Sequence, residues 1–121
     1  MTDDLDTPIL TGSQQVASCA VDATVLIKAM AHQGRMSILC HLIEGEKSVG
    51  QLADLLGIRD STASQHLALL RRDRLIAGRR DGQTVWYSIE SKSARQVVEV
   101  LYESFCVPAI GAAAAAARAT S

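Results

Sequence analysis

The sequence predicts a mainly α-helical domain that carries one small β-hairpin. Apolar residues recur at helical spacing along most of the chain, which is the pattern of amphipathic helices. Two short helices are separated by the glycine-containing turn "GIRD", an arrangement typical of a helix-turn-helix. The β-branched and aromatic run "TVWYSI" follows the turn signal Asp81-Gly82, as expected for a hairpin. A hairpin directly after a helix-turn-helix is a wing, so the predicted fold is a winged helix-turn-helix with five to six helices.

The chain is predicted to contain one folded domain between two tails. Its 121 residues, 48% of them hydrophobic, suffice for one core. Residues 1–15 show no sustained period and are rich in small polar residues, which predicts a flexible N-terminal tail. Residues 16–108 hold all the periodic segments and form the predicted domain. Residues 109–121 form an alanine-rich C-terminal tail, either a helical extension or a disordered segment, to which we assign no function.

The first two predicted helices precede the helix-turn-helix. Residues 16 to about 32 have apolar side chains in most directions and no helix breaker, which predicts a long and largely buried helix. A second helix follows "HQGR" and is expected to stop near Gly45. Its apolar face has the spacing i, i+3, i+4, i+7 and consists of Met36, Leu39, Cys40 and Ile43.

The third and fourth helices form the predicted helix-turn-helix. Ser48 is expected to cap the third helix, and Asp60 or Ser61 the fourth. The inward residues of the third helix are predicted to be Val49, Leu52, Leu55 and Leu56. Those of the fourth are predicted to be Ala63, Leu67 and Leu70. The polar residues between them on the fourth helix face away from this apolar stripe and are free to contact another molecule.

A last helix is predicted from Ser93 to about Val107, where Pro108 should end it. Its apolar residues at helical spacing are Val97, Val98, Leu101, Tyr102 and Phe105.

Positive charge is concentrated in the middle of the chain, although the formal net charge is -1. Residues 59–81 carry six arginines against three aspartates, whereas residues 1–58 carry three Lys/Arg against seven Asp/Glu. This local excess, on the fourth helix and the hairpin, predicts contact with a polyanion. Four aromatic residues are too few for a surface that stacks the bases of single strands.

The remaining composition restricts the class of protein further. No apolar run approaches the roughly 18 residues of a membrane span, and the acidic start "MTDDLD" does not resemble a signal peptide, so we expect a cytoplasmic protein without membrane contact. Three cysteines in that reducing setting indicate redox or metal chemistry more than structural disulfides. No acid pair or glycine-rich phosphate loop accompanies the serine and histidine of the fourth helix, so we expect neither an enzyme nor a cofactor.

The run from Gly57 to Ile89, "GIRDSTASQHLALLRRDRLIAGRRDGQTVWYSI", closely resembles the ArsR family of bacterial winged-helix repressors. In outline the likeness extends from about Ala23 to Cys106. It implies a homodimer whose first and last helices form the interface, and which releases a palindromic operator in double-stranded DNA when it senses an inducer. Residues 16–108 would then be the DNA-binding and dimerisation domain.

The likeness predicts which residues contact DNA. Gln can read an adenine edge with two hydrogen bonds, so Gln65 is our first choice for base recognition. Ser and Thr hydroxyls suit bases or phosphates, and a basic wing suits the DNA backbone or minor groove. Among the arginines after the fourth helix, some should face neighbouring acids. The predicted DNA-contacting residues are Ser61, Thr62, Ser64, Gln65, His66, Arg71, Arg79, Arg80 and Gln83.

The ArsR family has known sensor positions, and these are the candidates for the inducer site. The third-helix segment "VGQLADLL" contains no cysteine, and residues 90–107 contain no histidine, so both of the family's usual metal sites are absent. The segment "SILCHLIEGEKSVGQL" instead resembles the second helix of the subgroup that senses reactive sulfur species. That resemblance implies that persulfides join Cys40 to Cys106 through a disulfide or short polysulfide and weaken DNA binding.

Other interpretations stay open from sequence alone. Taken alone, Cys40 is better explained as a small core residue, whereas Cys106 lies nearer a helix edge. Cys19 is expected to be packing or an incidental thiol, but as a third thiolate it would allow a repressor that senses a thiophilic metal or metalloid such as arsenite. His32 and His41 are expected to be surface or cap residues. A winged helix that binds protein through the acidic first half of the chain is a further alternative.

Overall fold

The computed structural model describes residues 11–120, which form six α-helices, one π-helical turn and a two-stranded antiparallel sheet. In chain order the elements are α1 Gly12–Met30, α2 Gln33–Ile43, α3 Val49–Leu56, α4 Asp60–Arg72, β1 Ile76–Asp81, β2 Thr84–Ile89, α5 Lys92–Leu101, the π turn Tyr102–Cys106 and α6 Val107–Thr120. This order of elements is the predicted winged helix-turn-helix.

Helix α1 begins four residues before the predicted start. Thr11 caps it, and Gln14 completes a capping box, because the Thr11 side chain accepts from the Gln14 N–H and the Gln14 side chain accepts from the Thr11 N–H. The prediction of a tail up to residue 15 is therefore wrong for residues 12–15. Residues 1–10 of that predicted tail lie outside the described residues.

Most of α1 is exposed in the single chain, contrary to the predicted burial. Only its C-terminal end meets the core, where Met30 is buried and Leu26 and Ala29 pack against it. Its exposed large apolar residues are Val16, Val21, Val25 and Ile27. The apolar pattern was identified correctly, but no other element among residues 11–120 covers it.

The core is built around α2, which packs against α3, α4, α5 and β2. Helix α2 buries Ile38, Leu39 and Leu42, and it is capped by His32, whose Nδ1 accepts from the Gly34 N–H at 3.1 Å. Cys40 is half-buried and lies against the edge of this core. The other large buried residues are Leu52, Leu67, Leu70, Leu75, Ile76, Ile89 and Val98.

The helix-turn-helix agrees with the sequence except at two points. Ser48 caps α3 in a capping box with Gln51, as predicted. The N-cap of α4 is Arg59, without a side-chain bond, so the prediction of Asp60 or Ser61 is wrong; the Asp60 carboxylate instead lies in the first turn, where the helix dipole favours it. Leu55, predicted to face inward, is 51% exposed, and Ala53 is buried in its place.

The hairpin pairs Ile76 with Ile89 at its base and Asp81 with Thr84 at its tip. Its two-residue loop is Gly82-Gln83, one residue later than the predicted turn, and Gly82 supplies the left-handed φ of +64°. A backbone bridge between Lys47 and Tyr87, with N···O distances of 3.2 and 2.8 Å, fixes the hairpin to the loop before α3.

The last helix does not end at Pro108. The π turn Tyr102–Cys106 widens the helix just before it, with the Val107 N–H donating to the Tyr102 carbonyl five residues back. A proline in a regular helix loses one hydrogen bond and clashes with the carbonyl four residues earlier, and the wider turn accommodates both effects. The alanine-rich segment consequently continues as α6, the helical one of the two alternatives.

By length and composition alone, the continuous helix Lys92–Ala119 could cross a membrane, and none of its apolar window is buried. The expectation from sequence rested on uninterrupted apolar runs, whereas this helix qualifies by the mean hydropathy of an 18-residue window. Its apolar character comes largely from alanine, which gives a helix apolar composition without large side chains.

We expect alanine substitutions of two leucines of α3 to differ in how much stability they remove. Leu52→Ala should lower the free energy of unfolding by about 2 to 5 kcal/mol, because Leu52 is 0% exposed and its removal leaves a cavity. Leu55→Ala, the matched control, should change it by less than about 0.5 kcal/mol. Urea denaturation at equal protein concentration measures both. Equal losses would show that α3 packs differently from the structure.

Candidate DNA interface and dithiol site

The buried stripe of α4 determines which of its polar residues reach solvent. Because Ala63 and Leu67 are buried, Ser61, Ser64 and Gln65 are exposed on the opposite side. Thr62 is half-buried beside that stripe. The helix therefore presents a short hydroxyl- and amide-bearing face, with Gln65 as its longest side chain.

His66 differs from its neighbours because it packs against the start of α2. Its ring lies 5.0 Å from the His32 ring, and a Cβ at Gly34 would stand only 2.6 Å from its Nε2 atom. Burial, and then the nearby His32 and Arg35, lower the pKa of His66, which favours the neutral ring. Sequence reasoning missed this contact, for which the glycine at position 34 was the available signal.

The predicted arginines fall into two groups. Arg71 and Arg80 are exposed, together with Gln83 in the hairpin loop. Arg79 instead forms a two-pronged pair with Glu46, donating from Nε to Oε2 at 3.1 Å and from Nη2 to Oε1 at 2.8 Å.

Arg72 confirms that some arginines face acids, since its Nε lies 3.3 Å from Asp73 Oδ1. The paired Arg79 differs in kind, because its partner lies 33 positions earlier in the chain and links the hairpin to the loop after α2.

The structure brings Cys40 and Cys106 together. Cys40 lies on α2, Cys106 ends the π turn, and both are half-buried free thiols. The pKa of Cys40 is raised to about 11, first by burial, then by the charge and hydrogen bonding of Cys106, and last by Glu44. Cys40 is therefore a protonated thiol at neutral pH, which leaves Cys106 as the candidate nucleophile of the pair.

A hydrogen bond next to the cysteines holds the same two helices in register. The Tyr102 hydroxyl donates to Glu44 Oε2 at 2.9 Å. Glu44 lies four residues after Cys40, and Tyr102 lies four residues before Cys106. The Tyr102–Glu44 bond and the Cys40–Cys106 contact are therefore one helical turn apart, and both join the α2 side to the π turn. Sequence reasoning missed this pair, although the spacing of four from each cysteine was visible.

An open cleft of about 640 Å³ adjoins the two thiols. It lies between α2 and the long C-terminal helix. Its lining residues are Gln33, Met36, Ser37, Cys40, His41, Glu44, Leu101, Tyr102, Phe105, Cys106, Ala109 and Ile110.

Cys19 is exposed on α1 and does not join the pair in a ligand cluster. Among residues 11–120, no group of three or more His, Cys, Asp or Glu side chains is arranged to hold a metal ion. The three-thiolate arrangement considered from sequence is therefore not assembled within the described part of one chain.

Comparison with known proteins supports the same class. Residues 32–77 match the family model "Bacterial regulatory protein, arsR family". The chain is 42% identical over 93 residues to the transcriptional activator HlyU of Vibrio cholerae, covering 77% of this chain and 86% of that protein. The structure of reduced HlyU from V. cholerae superposes with a TM-score of 0.74. The superposition covers 77% of this chain and 98% of the HlyU chain.

Two further solved structures are similar. The transcriptional repressor BigR of Xylella fastidiosa is 33% identical, with a TM-score of 0.74 over 79% of this chain and 95% of that chain. A homodimeric winged helix-turn-helix DNA-binding domain from Mycobacterium bovis is 26% identical, with a TM-score of 0.64 over 79% and 89% of the two chains.

A winged helix-turn-helix with an exposed polar recognition helix and a basic hairpin defines a DNA-binding transcriptional regulator. The similar proteins HlyU and BigR are named transcriptional regulators, which agrees with this class. The chain belongs to the ArsR family of bacterial transcriptional regulators.

The raised pKa of Cys40 predicts slow and strongly pH-dependent alkylation. A thiol reacts only as thiolate, so between about pH 7 and 10 the Cys40 rate should climb roughly tenfold per pH unit without a plateau. Cys106→Ser removes the neighbouring negative charge, which lowers the pKa of Cys40 and speeds its alkylation at every pH. Both proteins should carry Cys19→Ser, and mass spectrometry would follow the reaction with iodoacetamide. Identical Cys40 rates in the two would contradict the contact.

Proposed function

We propose that this protein is a dimeric transcriptional repressor that leaves its operator when persulfides join Cys40 to Cys106. The observation that carries the proposal is the juxtaposition of these two free thiols between α2 and the π turn. The relatives differ in the direction of regulation, since BigR is named a repressor and HlyU an activator, and our proposal follows BigR. As a DNA-binding protein with reduced thiols it would act in the cytoplasm, without catalytic activity or membrane contact.

The proposed DNA interface consists of α4 and the hairpin. The exposed Ser61, Ser64 and Gln65 would enter the major groove, with Gln65 reading a base edge. Arg71, Arg80 and Gln83 would contact the backbone around it. Thr62, His66 and Arg79 were also predicted to contact DNA. For His66 and Arg79 we propose a positioning role, because each already packs on or pairs with another element.

Dimerisation would explain the uncovered apolar surface. The exposed valines of α1 have no partner element in the single chain, and they lie on the helix that the family resemblance assigns to the interface. The similar M. bovis domain is homodimeric. Two-fold symmetry then requires two operator half-sites about one helical turn of DNA apart.

The proposed sensing chemistry needs no oxidant besides the persulfide. The Cys106 thiolate attacks the outer sulfur of R–S–SH, the R–S⁻ thiolate leaves, and Cys106 becomes a persulfide. The Cys40 sulfur then attacks the Cys106 Sγ atom and forms a disulfide, with release of H₂S. If both cysteines are first persulfidated, the same condensation gives a trisulfide and H₂S. In each case the sulfane sulfur is the electron acceptor, because it is reduced to sulfide.

The chain between α2 and α3 connects this chemistry to the DNA interface. Glu44 bonds to Tyr102 at the dithiol site, Glu46 pairs with Arg79 of the hairpin, and the Lys47 backbone pairs with Tyr87. A shift of α2 relative to the π turn would therefore be passed to the hairpin through the four residues from Glu44 to Lys47. A coupling of about 1 to 3 kcal/mol would change operator affinity roughly 5- to 150-fold.

We expect two DNA-interface variants to fail differently. Gln65→Ala should cost about 1 to 3 kcal/mol of specific binding and relax the preference at one base position, because a base contact is lost. Arg80→Ala should weaken binding to all DNA sequences alike, because a phosphate contact is lost. The slope of log affinity against log salt concentration should become smaller by about one. Titrations of operator and random duplex at several salt concentrations separate the two. Equal losses on both DNAs for Gln65→Ala would refute base reading.

The sensing proposal predicts which cysteines matter. Organic persulfide should convert the wild type to an internally bridged form, lower its operator affinity and be reversed by a thiol reductant. Cys40→Ser and Cys106→Ser should bind the operator whether or not persulfide is present, whereas the matched control Cys19→Ser should respond like the wild type. Intact mass and peptide mapping identify the bridge, and a mobility shift measures DNA release.

Two results would overturn this mechanism. The first is release of DNA from Cys40→Ser by persulfide, and the second is a wild type that never acquires the Cys40–Cys106 linkage. Release by arsenite without such a bridge would instead support the thiophilic-metal alternative. Binding to neither operator nor random duplex would favour the protein-binding alternative.

A further inference from the structure

The cleft beside the two thiols indicates which sulfur donor they accept. We propose that the cleft between α2 and the C-terminal helix binds the organic group of an apolar, uncharged persulfide and thereby selects it over anionic donors such as glutathione persulfide. This inference rests on the proposed function, because it names the substrate class of the same site.

The size and lining of the cleft suit a small apolar group. Its volume of about 640 Å³ lies within the roughly 300 to 1,000 Å³ typical of small-molecule sites. Both cysteines belong to its wall, so a bound R–S–SH would lie beside the Cys106 sulfur. The apolar residues around them are Met36, Leu101, Phe105, Ala109 and Ile110.

The lining of the cleft offers little to an anionic donor. It contains no lysine or arginine, and its only carboxylate is that of Glu44, which accepts from Tyr102. The nearby cation Lys47 lies outside the lining and is already paired with Glu44, its Nζ 3.7 Å from Glu44 Oε1, as is the Nδ1 of His41. The other polar lining groups are Gln33, Ser37 and His41, all on α2. A donor that carries carboxylates would bring them close to Glu44 and against apolar walls, where an unpaired charge is strongly disfavoured.

The cleft depends on the C-terminal helix, for which the sequence suggested no function. Because the π turn lets the helix continue past Pro108, Ala109 and Ile110 form part of the wall. Ile110 is 55% exposed and Phe105 67% exposed in the single chain. Both lie on the helix that the family resemblance assigns to the dimer interface, so the proposal requires that the partner leave this side of the helix open. Each methylene that the cleft removes from water should favour capture about fourfold, which corresponds to about 0.8 kcal/mol.

A homologous series of donors tests the proposal. Methyl, butyl and hexyl persulfides and glutathione persulfide would be mixed with the reduced full-length protein, and the rate of Cys40–Cys106 bridge formation followed by intact mass. We expect the rate to rise along the alkyl series by a few-fold per methylene until the cleft is filled. Glutathione persulfide should react at least about tenfold more slowly than butyl persulfide, because its carboxylates are excluded.

A substitution in the wall should change this preference. Ile110→Lys places a positive charge at the cleft without altering the core, so it should slow hexyl persulfide and accelerate glutathione persulfide. Leu55→Lys is the matched control, because Leu55 is similarly exposed but lies on α3, away from the cleft. It should keep the wild-type order of donors.

The outcomes separate this inference from the function on which it rests. Equal rates for all donors, or an unchanged donor order in Ile110→Lys, would overturn selection by the cleft while leaving persulfide sensing intact. If a second copy of the protein covers the cleft, the length of the alkyl group should not affect the rate. That result would likewise overturn selection by the cleft and leave persulfide sensing intact. Absence of a bridge with every donor would overturn the sensing proposal itself.

Discussion

The packing of α2 against the C-terminal helix is the contact on which the rest of this structure depends. One face of α2 buries Ile38, Leu39 and Leu42 against the helix-turn-helix and the hairpin. The flanking face carries Cys40 and Glu44 toward the π turn. A single helix of eleven residues therefore supports the DNA-reading unit on one side and the thiol pair on the other. Because α2 packs against elements on both sides, a displacement at one side would be felt by the packed residues at the other.

The π turn determines how the chain continues beyond this contact. Residues four apart lie on one face of a regular helix, so the spacing of Tyr102 and Cys106 would place them on one side with or without the turn. What the turn changes is the backbone before Pro108, where it relieves the clash that the proline would cause. This local irregularity thus accounts for the continuation into α6 and for the part of the cleft that Ala109 and Ile110 form. Such turns often occur at functional sites, and this one ends at Cys106.

The sequence predicted most elements and only part of the site. Local signals sufficed for the Ser48 cap, the α4 stripe and the hairpin, because each depends on residues within a few positions. Local signals did not suffice for contacts between distant positions. Arg79 pairs with Glu46 across 33 positions, and Cys40 lies beside Cys106, a pairing that the family resemblance predicted and the local pattern did not. No periodicity reveals such contacts.

The end of the helix shows a different limit. Pro108 normally stops a helix, and no local pattern indicated that a π turn precedes it. The exposure of α1 shows a third limit, because an apolar pattern predicts burial without indicating which surface provides it, and among the described residues of the chain no element covers α1.

The short segment from Glu44 to Lys47 explains how a bond between sulfurs could alter DNA binding at a distance. Its first residue is bonded to the π turn, and its last two are bonded to the hairpin through one side-chain pair and one backbone bridge. Gly45, with φ of +140°, is the joint between them. A bridge between Cys40 and Cys106 fixes the distance between α2 and the π turn, whereas in the thiol state the Tyr102–Glu44 bond and side-chain packing alone set it. In the proposed mechanism the two states would differ in the position of Glu44, and the segment would transfer that difference to the hairpin, whose arginines we propose to lie near the DNA backbone.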